Sequence, residues 1–421
     1  MISVDAAMQI ILNAAEPVGL AIEQVPLHKA IGGLLAQSVE SRLDFPHWDN
    51  SAMDGYAVRY EDVADASQDN LIELEVITEI PAGSVPKGSI RSGQAARILT
   101  GSMLPDGADT VVMQEWTTRS GSGLGLGLGL GDRLQINQAP PQLGHFVRHQ
   151  GSFYRSGQPL LRSGLRIGGP EIAVLAAAQC LSVPVFKRLR VGVLSTGDEL
   201  VLPDQVLQPG QIVDSNQIAL LALLNQARFD AIALGSVKDD RTSLKQGMAD
   251  AIDRCDVVIS SGGVSVGDYD YVEELLDELG GQILIRSIAI KPGKPLTFAT
   301  FEGGKLYFGL PGNPVSALVT FWRFVLPGLR KRSGQTSPWL PLVVTATTHQ
   351  PLKSDGKRET CLWGTILGSG DDLQFCPAMG SGSSGNLVNL AGSTGLAIVP
   401  VGQTLVNAGD RISVMLVGRS L

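Results

Sequence analysis

The sequence lacks paired cysteines, a long apolar run and a leader-like start. Its four cysteines are isolated and form no Cys-x-x-Cys pair, which argues against a zinc site and for small buried side chains. No stretch of ~18 consecutive apolar residues is present, so no membrane-spanning segment is expected. Residues Met1–Asp5 contain no basic segment followed by an apolar one, so no secretory signal is expected either. These absences predict a cytoplasmic protein.

Basic residues are also in deficit, since the formal net charge is -8. Phosphate backbones are bound by an excess of Lys and Arg, so nucleic acid is not expected as the main partner. A local basic pocket for a small anion remains compatible with this charge. The five histidines never adjoin a plausible Ser or Cys nucleophile, and a hydrolytic triad therefore has no support.

The 421 residues predict two to four domains. Helical spacing of apolar residues predicts helices over Asp5–Ala15, with Ser3 as cap, and over Leu27–Val39. Between residues 43 and 150 the pattern changes to strands, as in the alternating Leu71–Ile77. A helical pattern returns at Pro170–Ala178.

The run Gly123–Gly131 alternates Gly and Leu. Such a dipeptide repeat cannot pack a specific core, and it predicts a lengthened hairpin loop. No Lys follows it and no helix begins there, so it is not a nucleotide-binding loop.

Residues 190–331 alternate between strand and helix patterns, which predicts an open α/β sheet with mostly parallel strands. The predicted strands are Val191–Ser195, Asp230–Val237, Asp256–Ser260, Ile283–Ile290 and Leu306–Leu310. The predicted helices are Asp214–Gln226, Ser243–Arg254, Tyr269–Leu279 and Val315–Arg330. Pro338 marks a linker, and short strands with Gly-rich turns over residues 340–421 predict a small β domain.

Ligands of open α/β sheets bind outside the carboxyl ends of the strands. The turns that follow these strands carry Thr196-Gly-Asp-Glu199, Lys238-Asp-Asp240, Ser261-Gly-Gly-Val-Ser-Val-Gly-Asp-Tyr-Asp270, Lys291-Pro-Gly-Lys294 and Pro311-Gly-Asn313. All of them are expected on one rim.

The chemistry of these turns is mixed. Glu199, Asp239, Asp268 and Asp270 are hard oxygen ligands for Mg²⁺, although each could simply cap a helix or close a turn. Lys291 and Lys294 suit anionic oxygens, or they occupy a solvated turn. The Ser-Gly-Gly loop could hold an oxyanion on its backbone amides, or be a plain tight turn. Acids and lysines on one rim are together typical of sites for phosphorylated or adenylylated ligands.

Two further segments, Asp49–Ala57 and Arg97–Asp109, are dense in small and polar residues. Asp54-Gly55 is a good turn pair, and Thr100 either points into a cleft or closes a loop. Neither segment alone identifies a reaction.

Seven stretches together resemble the molybdopterin molybdenumtransferases, whose relatives include the C-terminal domain of gephyrin. They are Asp49–Ala57, Arg97–Asp109, Thr110–Glu115, Leu194–Leu200, Ser260–Asp270, Ala289–Pro295 and Gly309–Ser316, spread over almost the whole chain in the family's order.

The resemblance implies an architecture of four parts in a homodimer. They are a split helical domain (1–42 and 151–188), an inserted β domain (43–150), an α/β domain (189–333) and a C-terminal β domain (338–421). It also implies that the active site lies between the α/β domain of one subunit and the inserted domain of the other.

The resemblance further implies that molybdate is inserted into adenylylated molybdopterin with Mg²⁺-dependent release of AMP. The adenylyltransferase that supplies the substrate and the apo-molybdoenzymes that take the product are implied partners, and no nucleic acid or membrane is. Implied catalytic residues are Asp54, Thr100, Glu199, Asp239 and Asp270, with Asp239 and Asp270 on the metal. Implied ligand contacts are Thr196, Gly197, Ser261, Gly262, Gly263, Lys291, Lys294, Pro311, Asn313, Arg358 and Ser381.

The chain departs from the family pattern at three places, one of which is the added Gly-Leu run at Gly123–Gly131. Many members carry an acidic pair where this chain has Gly151-Ser152-Phe153, and Trp363 stands where an Arg is common. Two alternative functions are a molybdopterin adenylyltransferase, which shares the Ser-Gly-Gly and acidic rim, and a gephyrin-like scaffold. The residues before and after the α/β unit argue against the first, because such adenylyltransferases are usually that unit alone. The lack of a long linker and of an added partner domain argues against the second.

Overall fold

The computed structural model describes residues 1–120, 132–262, 271–379 and 383–418. The predicted loop at Gly123–Gly131 and the predicted site residues Gly263, Asp268, Asp270 and Ser381 lie outside these ranges. Within them, no helix is long and apolar enough to cross a membrane.

The helices, in chain order, are α1 Val4–Ala14, α2 Tyr60–Val63, α3 Gly169–Ala177, α4 Ser215–Gln226, α5 Arg241–Arg254, α6 Val272–Glu278, α7 Pro314–Thr320 and α8 Leu326–Arg332, with a π-helical turn, Phe321–Val325, joining the last two. Short 3₁₀ turns occupy Leu27–Lys29, Gln114–Trp116, Glu302–Gly304 and Leu387–Asn389.

The strands, in chain order, are β1 Ile22–Pro26, β2 Val39–Glu40, β3 Asn50–Ser51, β4 Gly55–Val58, β5 Ile72–Ile80, β6 Gln94–Ile98, β7 Thr110–Met113, β8 Thr117–Ser120, β9 Arg133–Ile136, β10 Val147–Arg148, β11 Pro159–Leu161, β12 Ser182–Phe186, β13 Arg190–Thr196, β14 Leu200–Val201, β15 Ile212–Val213, β16 Asp230–Val237, β17 Val257–Ser261, β18 Gln282–Ser287, β19 Ile290–Lys291, β20 Pro295–Phe301, β21 Lys305–Leu310, β22 Val343–Thr348, β23 Leu352–Lys353, β24 Glu359–Leu367, β25 Gln374–Pro377, β26 Gly395–Val399, β27 Leu405–Val406 and β28 Arg411–Leu416.

The chain divides into two compact units. The larger comprises Met1–Gln37, Ser163–Ala173 and Cys180–Leu421, and the smaller comprises Ser38–Arg162 and Val174–Gln179. The four-part division implied by the family resemblance stays a prediction.

A six-stranded sheet in the order β16-β13-β17-β21-β20-β18 lies at the centre of the larger unit. Its strands are parallel except β20, which runs against both of its neighbours. Because β20 reverses the direction twice, β18 still ends at the same rim as the parallel strands. The prediction of a mostly parallel sheet with its turns on one rim is confirmed.

Helices cover both faces of this sheet. Along β17, Val257 and Ile259 join a core with residues of α1, α4, α7 and α8, whereas Val258 joins a second core with residues of α5 and α6. Near-continuous apolar strands are typical of parallel sheets buried on both faces. The side chains of Asp214 and Asp240 begin α4 and α5 by accepting hydrogen bonds from first-turn amides, so both helices start at the rim.

The C-terminal residues form the small β domain that the sequence predicts. Its sheet order is β19-β24-β25-β22-β28-β26, and an additional pairing between β24 and β26 closes it. The first strand, β19, precedes the domain in sequence and belongs to the turn that carries Lys291. Trp363 is buried in the core of this unit and packs as an apolar residue.

The smaller unit is built on a sheet in the order β7-β4-β6-β5-β9-β8. Its two cores contain Leu74, Val76 and Leu134 in one case and Ile80, Ile98 and Val111 in the other. The predicted strand at Leu71–Ile77 is confirmed as the longer β5.

The prediction of a second N-terminal helix over Leu27–Val39 is wrong. That segment contains the 3₁₀ turn Leu27–Lys29, then a further turn, isolated bridges at Leu34 and Leu35, and the start of β2. Gly32, with φ of 80°, and Gly33 interrupt the pattern, since glycine costs a helix conformational entropy. The first helix, α1, and its Ser3 cap are as predicted.

Candidate functional site

Glu199 and Asp239 lie at the carboxyl ends of the adjacent strands β13 and β16, as predicted. The Glu199 carboxylate folds back over Gly197, where an added Cβ would stand 2.7 Å from Oε2. Gly197 therefore has to lack a side chain for this carboxylate to take its position. Both acidic residues are exposed at the rim.

The pKa of Asp239 is raised, first by loss of hydration at this turn and then by the negative charges of Glu199 and Asp198. A carboxylate whose ionisation is opposed by neighbouring carboxylates gains from a cation. Among the described residues, however, no group of three or more His, Cys, Asp or Glu side chains is arranged to hold a metal by itself.

Ser261 and Gly262 end β17 beside β13. A Cβ at Gly262, whose φ is +94°, would lie 2.5 Å from the backbone oxygen of Thr196. Gly262 thus permits a close approach of two rim segments. Its amide donates to the Leu310 oxygen at 3.2 Å and is not available to an oxyanion, contrary to the prediction for this amide.

Asn216 in the first turn of α4 is a rim residue that the sequence analysis missed. Its Nδ2 donates to Ser261 Oγ at 2.7 Å and to the Gly312 oxygen at 2.8 Å, which ties the ends of β17 and β21 to α4. Its Oδ1 is buried and, within the described part of the chain, has no hydrogen-bond partner. The same holds for Thr196 Oγ1. An Asn in the first turn of a helix that starts at the rim was the signal available.

Lys291 and Arg358 come together on one carboxylate. Lys291 Nζ lies 3.2 Å and Arg358 Nη2 3.4 Å from the same atom, Asp355 Oδ2. The Lys357 amide donates to Asp355 Oδ1 at 2.9 Å. This amide first, and then Lys291, lowers the pKa of Asp355 to about 2. Asp355 was not predicted as a site residue.

The turn between the two lysines is held against α7. A Cβ at Gly293 would lie 2.5 Å from Thr320 Cγ2, so the backbone can pack closely only with Gly here. Lys294 is exposed, and its oxygen accepts the Ile288 amide at 3.0 Å.

Pro311 is buried, and Asn313 is exposed at the residue preceding α7. The Val315 amide donates to the Ser384 oxygen at 3.0 Å, which brings the C-terminal domain beside this turn.

Asp54 and Thr100 lie in the smaller unit and contact each other. The amide and the hydroxyl of Thr100 both donate to Asp54 Oδ1 at 2.7 Å. These two bonds lower the pKa of Asp54, the amide contributing most. Thr100 is therefore the residue that fixes the orientation of the Asp54 carboxylate.

Two carboxylates lie beside Gly151-Ser152-Phe153, the segment that departs from the expected family pattern. Asp49 Oδ1 accepts the Gln150 amide at 2.7 Å, and Asp44 Oδ1 accepts the Ser156 amide at 2.8 Å. Neither was predicted as a site residue. Their acceptance of backbone amides shows a structural role for both.

Comparisons with known protein families match nearly the whole chain. Residues 2–178 match the MoeA N-terminal region (domain I and II), residues 192–331 a probable molybdopterin binding domain, and residues 345–417 the MoeA C-terminal region (domain IV). Fold and matches together define the class: a multidomain transferase with the MoeA domain order.

Individual relatives are similar to this chain over nearly its whole length. A molybdopterin molybdenumtransferase of Nostoc sp. (strain PCC 7120) is 51% identical over 93% of this chain and 88% of its own length. That of Synechococcus elongatus is 34% identical over 98% of this chain and 99% of its own. The crystal structure of a molybdopterin biosynthesis moeA protein from Pyrococcus horikoshii OT3 superposes with a TM-score of 0.82 at 28% identity, covering 99% of this chain and 100% of that one. The chain belongs to the molybdopterin molybdenumtransferase family.

Proposed function

We propose that this protein inserts molybdenum from molybdate into adenylylated molybdopterin and releases AMP, and that it acts in the cytoplasm. The observation that carries the proposal is the convergence of Lys291 and Arg358 on one carboxylate oxygen of Asp355. Two cations that already share an oxygen of a carboxylate can share an oxygen of another small anion. Molybdate, as substrate, is an anion of this kind.

The rim supplies the remaining roles. Lys294, beside Lys291, adds positive charge for the same anion. Ser261 offers a hydrogen bond to the ligand, and so do the oxygens of Asn216 and Thr196, which have no hydrogen-bond partner among the described residues. Glu199 and Asp239 stand where the adenylate phosphate is cleaved, and Gly197, Gly262, Pro311 and Asn313 shape the surrounding turns.

The chemistry of the acidic turns fits Mg²⁺. Mg²⁺ in proteins takes one or two carboxylates and completes its shell with substrate phosphates and water, so a cage of protein ligands is not required. Asp239, whose pKa is raised in part by neighbouring negative charge, is the ligand we assign. Asp270 is retained as the second ligand from the family resemblance alone. When bound, the ion supplies charge neutralisation at the phosphate and orientation of water.

We further propose a homodimer in which Asp54 and Thr100 complete the site of the partner subunit. The hydrogen bonds from Thr100 orient the Asp54 carboxylate, so it can orient water or a cationic group. Sedimentation equilibrium of the full chain tests the dimer, and a monomer at micromolar concentration would contradict it.

Incubation of the purified protein with adenylylated molybdopterin, Mg²⁺ and molybdate should yield AMP and a product that activates an apo-molybdoenzyme. Formation of adenylylated molybdopterin from ATP and molybdopterin would instead identify an adenylyltransferase. Lys294→Ala is the variant to compare with the wild type in this assay. Unchanged product formation by Lys294→Ala would contradict the assignment of the rim as the site of the reaction.

Asp355→Asn is expected to tighten molybdate binding about fivefold. Asn keeps the oxygen that accepts the Lys357 amide but removes the charge that competes for Lys291 and Arg358. Release of both cations from this competing carboxylate is the reason for an expected gain of only about fivefold, because exposed ion pairs are weak. Titration calorimetry with molybdate measures the change. Asp371→Asn, at an exposed turn of the same domain, is the control. Equal molybdate affinities of the wild type, Asp355→Asn and Asp371→Asn would refute competition between Asp355 and molybdate.

Because the pKa of Asp355 is about 2, the competition should persist unchanged between pH 8 and pH 5. The stabilising contribution of this carboxylate is present above its unfolded pKa and is lost only as the pH falls towards 2.

A further inference from the structure

A cavity of about 570 Å³ lies in the larger unit, away from the rim. It is open to solvent on one side and lined by the C-terminal end of α4, the stretch from the π-helical turn into α8, residues 335–342 and the end of β28. Arg166, Arg228 and Arg330 line it, and none of its described lining residues is an Asp or Glu. In a chain of net charge -8, this is an unusual local concentration of positive charge.

The three guanidinium groups have few partners. Arg166 donates from Nη1 to the Gly32 oxygen and from Nη2 to Gln335 Oε1, both at 3.0 Å. Arg330 donates from Nη1 to the Trp339 oxygen at 2.9 Å and to the Leu340 oxygen at 3.4 Å. Over the described ranges, none of the three forms an ion pair with a carboxylate. Each guanidinium has five N–H donors, so most of them remain for a ligand.

The arginines also act on one another. Burial first, and then the charges of Arg330 and Arg228, lowers the pKa of Arg166, and burial lowers the pKa of Arg330. Arginine stays protonated in proteins, so this mutual repulsion is not relieved by loss of a proton. A bound anion would relieve it.

Arg228 occupies a backbone position that favours glycine. Its φ is 69°, in the left-handed region. It follows α4, where its amide donates to the Asn225 oxygen and the Phe229 amide donates to the Leu224 oxygen, both at 3.0 Å. These are the two hydrogen bonds of the Schellman motif, in which the left-handed residue is usually Gly. Arginine is therefore present against the local backbone preference, which points to a role for its side chain.

Gly32 makes room for this side chain. A Cβ at Gly32 would lie 3.3 Å from Arg228 Nε, and the Gly32 oxygen accepts Arg166 Nη1. One glycine thus orients one guanidinium and leaves space for the next.

We propose that Arg166, Arg228 and Arg330 form a binding site for a phosphorylated organic molecule, separate from the rim site. The planar fork of each guanidinium matches two oxygens of a phosphate group. The cavity is larger than a phosphate, and Trp322, Leu223 and Leu342 line it with apolar surface for the organic part. None of the rim residues Glu199, Asp239, Lys291 or Lys294 lines it.

Titration calorimetry with ADP and with pyrophosphate, without Mg²⁺, tests the site. Both titrations use the full chain carrying Lys294→Ala, so that binding at the rim is weakened. Arg228→Gly in this background should weaken ADP binding at least tenfold, and Arg228→Lys should recover part of the loss. Arg228→Gly should also raise the melting temperature, because Gly suits the left-handed position; lost binding cannot then be attributed to misfolding.

Gln179→Gly is the matched control, since Gln179 likewise follows a helix with a positive φ of 57°. It should leave ADP binding unchanged. ADP should bind more tightly than pyrophosphate and lose that advantage in Trp322→Ala; equal affinity for both probes overturns the organic part of the proposal.

Wild-type affinity in Arg228→Gly, or no binding of either probe, overturns the site itself. If Arg228→Gly changes the sedimenting mass but not ADP binding, the arginines serve contact with a second copy, and the proposal also fails. None of these outcomes depends on the reaction at the rim.

Discussion

Asp239→Asn is expected to lower turnover of adenylylated molybdopterin about 100-fold while leaving the fold intact. The substitution preserves size and removes the charge assigned to the metal. A 100-fold loss corresponds to about 2.7 kcal/mol of transition-state stabilisation. Single-turnover release of AMP, measured at saturating Mg²⁺, gives the rate per folded molecule.

The same variant should be at least as stable as the wild type at pH 7. The pKa of Asp239 is raised, so its ionised form is disfavoured in the folded state above that pKa, and Asn removes this cost. Below pH ~4, where both states hold the proton, the difference should vanish. Asp253→Asn, near the end of α5 opposite the rim, is the control and should change neither the turnover nor the stability. Wild-type turnover in a less stable Asp239→Asn protein would show a purely structural role.

Arg323→Leu is expected to destabilise the larger unit by about 3 kcal/mol. Arg323 Nη2 lies 3.3 Å from Glu359 Oε1, and the two side chains are only 14% and 16% exposed. Removing the arginine leaves a buried carboxylate without its counter-charge. Urea unfolding followed by tryptophan fluorescence measures the loss.

The effect should depend on pH in a defined direction. Burial raises the pKa of Glu359, and Arg323 opposes that rise, so the variant's Glu359 has a still higher pKa. The penalty for its ionisation is absent well below the unfolded pKa and grows as the pH rises through the folded pKa. The difference in the free energy of unfolding between wild type and Arg323→Leu should therefore increase from pH 4 to pH 8.

Two control variants separate the charge from the packing. Adding Glu359→Gln to Arg323→Leu should restore at least half of the lost stability at pH 8. Arg286→Leu breaks the more exposed pair with Glu273 and should cost less than 1 kcal/mol. Equal losses for Arg323→Leu and Arg286→Leu would contradict the importance of burial.

The sequence predicted those elements whose ends carry a local signal. Ser3 marks the start of α1, and polar turns mark the ends of the buried apolar strands. Strand β20 was missed because it begins at Pro295 and reverses the sheet direction, which a pattern of alternating strands and helices does not predict. The helix at Leu27–Val39 failed because Gly32 and Gly33 outweigh apolar spacing.

The sequence predicts the rim position of residues that share one turn at the end of a strand, such as Glu199, whereas their roles in a site stay predictions. The roles of Asn216 and Asp355 arise from contacts 45 and 64 residues away in the chain, which no local pattern encodes. Gly262 was found from the sequence as part of a Ser-Gly-Gly loop. That this glycine serves close packing against Thr196 at the end of β13 depends on the neighbouring strand, which no local pattern shows.

The two-residue strand β19 has a mechanical consequence. Ile290 and Lys291 pair with Glu359 and Thr360 of β24, and the Glu359 amide donates to the Ala289 oxygen at 3.0 Å. Lys291, in the turn that follows strand β18 of the α/β sheet, and Arg358, which precedes β24 of the C-terminal barrel, are thus held by the same short ladder. If the C-terminal barrel shifts relative to the α/β sheet, Lys291 should shift with it because β19 is hydrogen-bonded to β24. Lys291 and Arg358 should therefore keep their relative position. Hydrogen exchange at the amides of this ladder would then follow a single opening event.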